Sequence, residues 1–321
     1  MSRTALIAVG GNSLIRVGER GTVEEQLRNA HQTARKITQL VADGWRVVVT
    51  HGNGPQVGAA LIRSERSSGE AYSQPLDVCV ATTQGEIGYM LKRGLECELQ
   101  RAGFYMPVMC ILTQVRVNPD DPAFAHPTKP IGPFYTQKVA EEKMRAFGWT
   151  MVEDAARGYR RVVPSPEPIE ILELEVIRQV LDLGIIVIAL GGGGIPVVVG
   201  EDHSVTGVEA VIDKDRASAV LASGLGLDCF VISTDVDQVY LNYKQPTQRG
   251  LKRATADLME HYLKENQFSA GSMGPKIEAA IRFVRNGGHD VFITSSDQLI
   301  EAIHGKAGTH ITARPDHGQE E

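Results

Sequence analysis

Val47-Val48-Val49-Thr50-His51-Gly52-Asn53-Gly54-Pro55-Gln56 is the stretch that decides the fold. Its first four residues are all β-branched, the side chains that pack well on a pleated sheet. The run stops at the Gly52-Asn53-Gly54 turn, and a helical pattern opens at Gln56. Strand, glycine turn, helix is the unit from which parallel sheets are wound. Glycine at that junction lets the backbone come close to a bound group, and a helix N-terminus offers free N–H donors and a positive dipole end. Two further glycine turns follow apolar runs: Gly10-Gly11-Asn12 after residues 5–9, and Gly191-Gly192-Gly193-Gly194 after residues 185–190. One such turn says little, because βα loops also use glycine for geometry alone. Three in one chain point to a ligand with several phosphate or carboxylate oxygens.

Outward from these turns, strands and helices alternate. Residues 4–9 read as a buried strand and 23–41 as an amphipathic helix with Leu27, Ala30, Ala34 and Ile37 on one face. A strand at 45–50, helices at 56–65 and 82–102, and a strand at 108–117 follow. After residue 169 the rhythm resumes with a helix at 173–183, a strand at 185–190, a helix at 217–225, a strand at 229–233, a helix at 276–285, and a strand at 290–294 before a short helix. Near-continuous apolar strands between helices imply a largely parallel sheet covered on both faces. The polar tail, 314–321, reads as disordered. Between the halves the texture changes: eight of the chain's 15 prolines fall within 118–168. The same stretch carries Lys129, Lys138, Lys143, Arg145, Arg157, Arg160 and Arg161. It reads as an inserted lid, helical around 137–147, since long excursions from compact domains often serve function.

Bulk properties fit an ordinary soluble globular chain: 321 residues, 42% hydrophobic and 22% charged. A net charge of −6 argues against wholesale nucleic-acid binding. Cys79, Cys97, Cys110 and Cys229 show no metal or CxxC spacing and read as reduced thiols of a cytosolic protein. The apolar run at 6–9 ends in Gly10-Gly11, too soon for a secretion signal, and no run approaches the roughly 20 residues of a membrane span.

The glycine turns match no common nucleotide fingerprint. There is no GxxxxGK[ST], and Gly52-x-Gly54-x-x-x-Gly58 is one residue longer than GxGxxG. Lys276 is the most telling single residue. Pro275 suits the first position of a helix, and a lysine in that first turn faces the positive dipole end, at a cost of up to about 1 kcal/mol unless an anion is near. Lys276 is therefore either a solvated side chain or a phosphate ligand. In Asp213-Lys214-Asp215 an aspartate caps the next helix, or two carboxylates hold a lysine toward a ligand. Lys129, between Thr128 and Pro130, is displayed on a stiff loop. His51 has no evident catalytic partner and reads as structural. The nine histidines lack ligand spacing, so no structural metal is expected.

Together these segments resemble the carbamate kinases of the amino-acid kinase superfamily. The matching stretches run in order along nearly the whole chain. They include Ala8-Val9-Gly10-Gly11-Asn12, His51-Gly52-Asn53-Gly54-Pro55-Gln56-Val57-Gly58, Thr83-Gln84-Gly85, Pro127-Thr128-Lys129-Pro130-Ile131-Gly132-Pro133, Gly191 to Gly194 with Ile195-Pro196, Asp213-Lys214-Asp215, and Gly271-Ser272-Met273-Gly274-Pro275-Lys276. The resemblance implies a three-layer α/β/α sandwich with an open, mainly parallel sheet. A single domain would span 1–313, with an N-lobe to about 168 for carbamate or carbamoyl phosphate and a C-lobe from about 169 for nucleotide. A subdomain would protrude at about 118–163. It implies a homodimer and the reaction ATP + carbamate ⇌ ADP + carbamoyl phosphate with Mg²⁺, running toward ATP in arginine or other ureido fermentation. Gly10, Gly11, Asn12, Gly52, Asn53 and Gly54 would cradle carbamate and the transferred phosphoryl group. Lys129, Lys214 and Lys276 would neutralise charge, with Asp215 keeping lysines in register. Gly192, Gly193, Ser233, Thr234, Asp235, Tyr243 and Met273 would surround the nucleotide. Carbamate is already an anion, so the absence of an obvious base is consistent. The alternatives are another amino-acid kinase, such as one acting on acetylglutamate, and a binding regulator without turnover.

Overall fold

The computed structural model describes residues 3–16, 18–67, 69–154 and 158–314. Arg157 and residues 315–321 of the tail, both read above from sequence, lie outside them. Eight strands form the main sheet in the order Arg253–Thr255, Thr309–Thr312, Asp290–Ser295, Cys229–Thr234, Thr4–Val9, Arg46–His51, Ile186–Ile188, Val108–Cys110. Every neighbouring pair is parallel except Asp290–Ser295 with Thr309–Thr312. Alternation along the strands divides the apolar side chains between two faces. Leu6, Phe230 and Ile232 pack with Leu221, Ile277 and Phe283 on one side. Ala5, Ile7 and Val231 pack with Ile37, Leu40, Leu91 and Leu95 on the other. The expected α/β/α sandwich results.

Local signals set several helix boundaries. Val23–Ala42 opens on a capping box in which Thr22 and Glu25 satisfy each other's backbone N–H groups. Gln137–Phe147 stops at Gly148 in the left-handed region. Other boundaries differ from the sequence reading. Leu76–Arg101 begins well before residue 82, because Leu76, Cys79 and Val80 are drawn into a third apolar cluster with Val57 and Leu61. The single strand expected at 108–117 is two: Val108–Cys110 closes the main sheet, and Gln114–Arg116 joins a second sheet beside Ile195–Val199. The third glycine turn leads into that Ile195–Val199 strand and not into a helix, since Gly192, Gly193 and Gly194 all have positive φ (67°, 90° and 92°).

The proline-rich excursion builds a sheet of its own. Gly158–Val163 runs between Lys129–Tyr135 and Thr150–Asp154, antiparallel to both. Pro130 and Pro133 are tolerated because their strand is an edge. Lys143 sits over the rings of Tyr135, Phe147 and Trp149, 4.4 Å from the Trp149 centroid. At its root, Ile131 and Val163 are buried in the third apolar cluster against the Gly54–Arg66 helix. Gly58 of that helix lies so near the excursion that a Cβ there would stand 2.1 Å from the Gly132 Cα.

Candidate active site

Thr4–Val9, Arg46–His51 and Cys229–Thr234 are parallel neighbours, so their C-terminal ends open on one crevice, where open α/β sheets bind ligands. Close backbone approach is built in. A Cβ on Gly10 would lie 3.1 Å from the Ser233 carbonyl oxygen, and one on Gly52 would lie 3.1 Å from the Gly11 nitrogen and 3.8 Å from Lys214 Cδ. Gly11–Ser13, which includes Asn12, is one short 3-10 turn, and Gly54 opens the Gly54–Arg66 helix.

The Lys214–Leu225 helix delivers the charges. Asp213 caps it: Oδ1 accepts from the N–H groups of Asp215 and Arg216 at 2.9 and 3.3 Å. The other oxygen, Oδ2, accepts from Lys129 Nζ at 2.6 Å. Asp215 divides its carboxylate between two lysines, with Lys214 Nζ 2.5 Å from Oδ1 and Lys276 Nζ 2.8 Å from Oδ2. These groups are nearly dry: the side chains of Asp215, Lys214 and Lys276 are 3%, 10% and 15% exposed. Burial alone would push both aspartates up, yet Lys129 holds Asp213 well below the usual carboxylate range, and Lys214 with Lys276 does the same for Asp215. Burial draws Lys214 down against the pull of Asp215. Lys276 is raised, because Asp215, Asp213 and Asp235 together outweigh its burial. Two ammonium groups thus converge on one carboxylate, a third lysine is anchored beside them, and the glycine turns adjoin.

Ser233, Thr234 and Asp235 follow one another at the strand end, and Met273 opens the helix carrying Lys276. That helix starts at Met273, so Pro275 is its third residue and not its first. Asn53 precedes the Gly54–Arg66 helix without a side-chain cap bond, and its Nδ2 donates to Thr83 Oγ1 at 2.9 Å. Gly192 and Gly193 fit against Asn53 and the Ile212 carbonyl, where a Cβ would come within 2.2 and 2.4 Å. Tyr243 is 49% exposed beyond the Val239–Leu241 strand, its ring 6.0 Å from that of Tyr240; no contact ties it to the lysine cluster. Asp213 was read from sequence only as a possible cap or lysine clamp, and its bond to Lys129, 84 residues away, has no local signature. Among the described residues, His31, Cys97 and Glu98 are the one trio placed to share a metal ion. Arg35 and Arg101 already occupy the Glu98 carboxylate, which disfavours a further cation there.

His51 is buried at the same crevice, and its Nδ1–H donates to the Gly52 carbonyl at 3.1 Å. Burial, with a smaller push from Lys214, lowers it from 6.5 to about 4. Above pH 6.5 the ring is neutral folded and unfolded. Between 6.5 and 4 only the unfolded chain takes the proton, so stability falls as pH drops. Wild type should lose about 3 kcal/mol more than His51→Gln between pH 7 and pH 4. Urea titrations at both pH values check this, and equal losses would refute it.

The amino acid kinase family model matches residues 3–295. A carbamate kinase of Thermococcus kodakarensis is 47% identical over 313 residues, covering 96% of this chain and 99% of that one. The chain belongs to the amino acid kinase family, among the carbamate kinases. Carbamate kinase 2 of Enterococcus faecalis is 45% identical over 96% of this chain and 98% of its own length. The Giardia lamblia carbamate kinase bound to AMP-PNP superposes with a TM-score of 0.90 at 41% identity, over 97% of this chain and 99% of that one. Family membership makes the chain a kinase, and the lysine cluster above lies in a carbamate kinase fold.

Proposed function

We propose that this enzyme moves a phosphoryl group reversibly between ATP and carbamate, and that its working direction is ATP formation during breakdown of arginine or another ureido compound. The Asp215 clamp on Lys214 and Lys276 carries the reading, because it aims two charged donors at one place in a dry cleft. In that reaction a carbamate oxygen bonds to the γ-phosphorus as the bond to the ADP oxygen breaks. Charge on the equatorial oxygens must be neutralised, and the reacting groups held in line. Lys129, Lys214 and Lys276 supply the charge, and Asp215 aims two of them. Gly10, Gly11, Asn12, Gly52, Asn53 and Gly54 cradle carbamate and the transferred group. Gly192, Gly193, Ser233, Thr234, Asp235, Tyr243 and Met273 line the nucleotide. Mg²⁺ enters on the nucleotide phosphates as part of the substrate, a reading supported by Asp213 and Asp215 being already bound to lysines. Carbamate needs no base.

The division into an N-lobe for carbamate, a C-lobe for nucleotide and a lid at about 118–163 belongs to the same proposal, as does a cytosolic homodimer. Exposed Tyr89, Met109 and Leu112, on and beside the last strand of the main sheet, support self-association. No helix among the described residues is long and apolar enough to cross a membrane. Purified protein given carbamoyl phosphate and MgADP should form ATP, read by luciferase, and the same preparation should scatter light as a dimer. No ATP above the spontaneous breakdown of carbamoyl phosphate would overturn the reaction. Equal activity with acetylglutamate would reassign the substrate, and a monomer at micromolar concentration would remove the dimer.

A further inference from the structure

Gln84, on the Leu76–Arg101 helix, is 1% exposed and has no role in the reaction as described so far. Its Oε1 accepts from the Thr113 N–H at 2.9 Å, and its Nε2 donates to the carbonyls of Thr113 and Gly191 at 3.1 and 2.9 Å. Thr113, fully buried, extends the grip: its Oγ1 accepts from the Leu190 N–H at 2.9 Å and donates to the Ile111 carbonyl at 2.8 Å. In a dry interior such a network is fixed, because each lost bond strands a buried polar group.

The turn held this way resists its own conformation. Leu190, with a γ-branched side chain, sits at φ 57°, a left-handed geometry costing about 1–2 kcal/mol. The same turn touches both sides of the cleft. A Cβ on Gly191 would meet His51 Nε2 at 2.5 Å, one on Gly192 would meet Asn53 Nδ2 at 2.2 Å, and one on Gly193 would meet the Ile212 oxygen at 2.4 Å. Asn53 belongs to the carbamate side, and Ile212 directly precedes Asp213 and Lys214. With no side chain to cushion it, the turn passes any shift to both.

We propose that Gln84 is a positioning residue for phosphoryl transfer: by clamping the Gly191–Gly193 turn it sets the spacing between Asn53 and the Asp213–Lys214 helix start. The inference rests on the reaction proposed above. In-line transfer is sensitive to spacing, and a misplacement of about 1 Å can cost on the order of 10² in rate. MgADP alone meets the turn at Gly192 and Gly193 and makes no demand on its spacing from Asn53, so nucleotide binding tolerates a small shift of the turn that in-line transfer does not.

Gln84→Met keeps the approximate volume and removes all three hydrogen bonds. Its kcat should fall on the order of 10²-fold, while MgADP affinity measured calorimetrically without carbamoyl phosphate stays within about threefold of wild type. Thr113→Val removes only the hydroxyl and should show the same split with a loss of roughly tenfold in kcat. The double variant should lose less than the product of the two, since both changes break one clamp. All assays are run below each variant's thermal transition. Unchanged kcat in the folded variants of an active wild type would overturn the clamp alone. Parallel losses of kcat and MgADP affinity would make Gln84 core packing and overturn it too. If Gln84→Met does not fold, Thr113→Val decides by the same split. A wild type that makes no ATP refutes the reaction, and the clamp with it.

Discussion

Asp215→Ala is expected to be the most damaging single change in the cleft, lowering stability and turnover together. The carboxylate is 3% exposed and is the shared partner of Lys214 and Lys276. Removing it leaves two neighbouring ammonium groups facing each other in a site with little water. Breaking a buried ion pair from one side typically costs about 3–5 kcal/mol. Part of that is recovered if Lys214, already drawn down by burial, gives up its proton. A neutral Lys214 no longer offsets charge on a transferring phosphate, and loss of one such donor costs on the order of 10²–10³ in turnover. Urea denaturation at pH 7 and at pH 9 tests the account: Asp215→Ala should regain stability at the higher pH, where an ammonium deprotonates more readily. A variant of wild-type stability, or one whose stability does not respond to pH, would show that Asp215 does not hold the pair together.

Lys129→Ala and Lys276→Ala should both lower kcat on the order of 10²–10³, and should differ in what else they lose. Lys276 lies in the first turns of the Met273–Arg285 helix, beside Asp215 and under the influence of Asp235 at the strand end. It should meet phosphate in ground and transition states alike, so its loss weakens MgADP binding as well as turnover. Lys129 comes from the separate excursion sheet and rests on Asp213. It should act on the transferring group, leaving MgADP affinity near wild type in the absence of carbamoyl phosphate. Calorimetric MgADP titrations separate the two. Comparable losses of nucleotide affinity in both variants would remove the reaction-centre role from Lys129.

The parts of the fold legible in the sequence are those whose cause is local. Periodicity located the Val23–Ala42 helix, and the β-branched run at 47–50 located a central strand. The excursion's strands were not legible, because Pro130 and Pro133 argue against a strand until its edge position is known. Nor was the break between Cys110 and Gln114, where the strand direction is handed from one sheet to another and Thr113 turns inward to bind Gln84. In the cleft, resemblance named the lysines, and the helix-start argument picked out Lys276 without it. The pairings were another matter: Lys276 meets Asp215 across 61 residues and Lys129 meets Asp213 across 84. Distances of that kind belong to the sheet order, and the spacing of Asp213-Lys214-Asp215 alone assigns no carboxylate to a particular lysine.

The contact between Gly58 and Gly132 makes the excursion a cantilever whose reach is fixed at its mount. The far edge, Thr150–Asp154, is two strands from the mount's own strand and can drift in sequence without moving Lys129. A single methyl at position 58 has no such freedom. It would jack the whole arm off its seat and lift the lysine with it, though it lies on a helix that carries none of the three lysines. The stretch whose composition departs most from the rest of the chain is thus tied to one of the least forgiving positions in it.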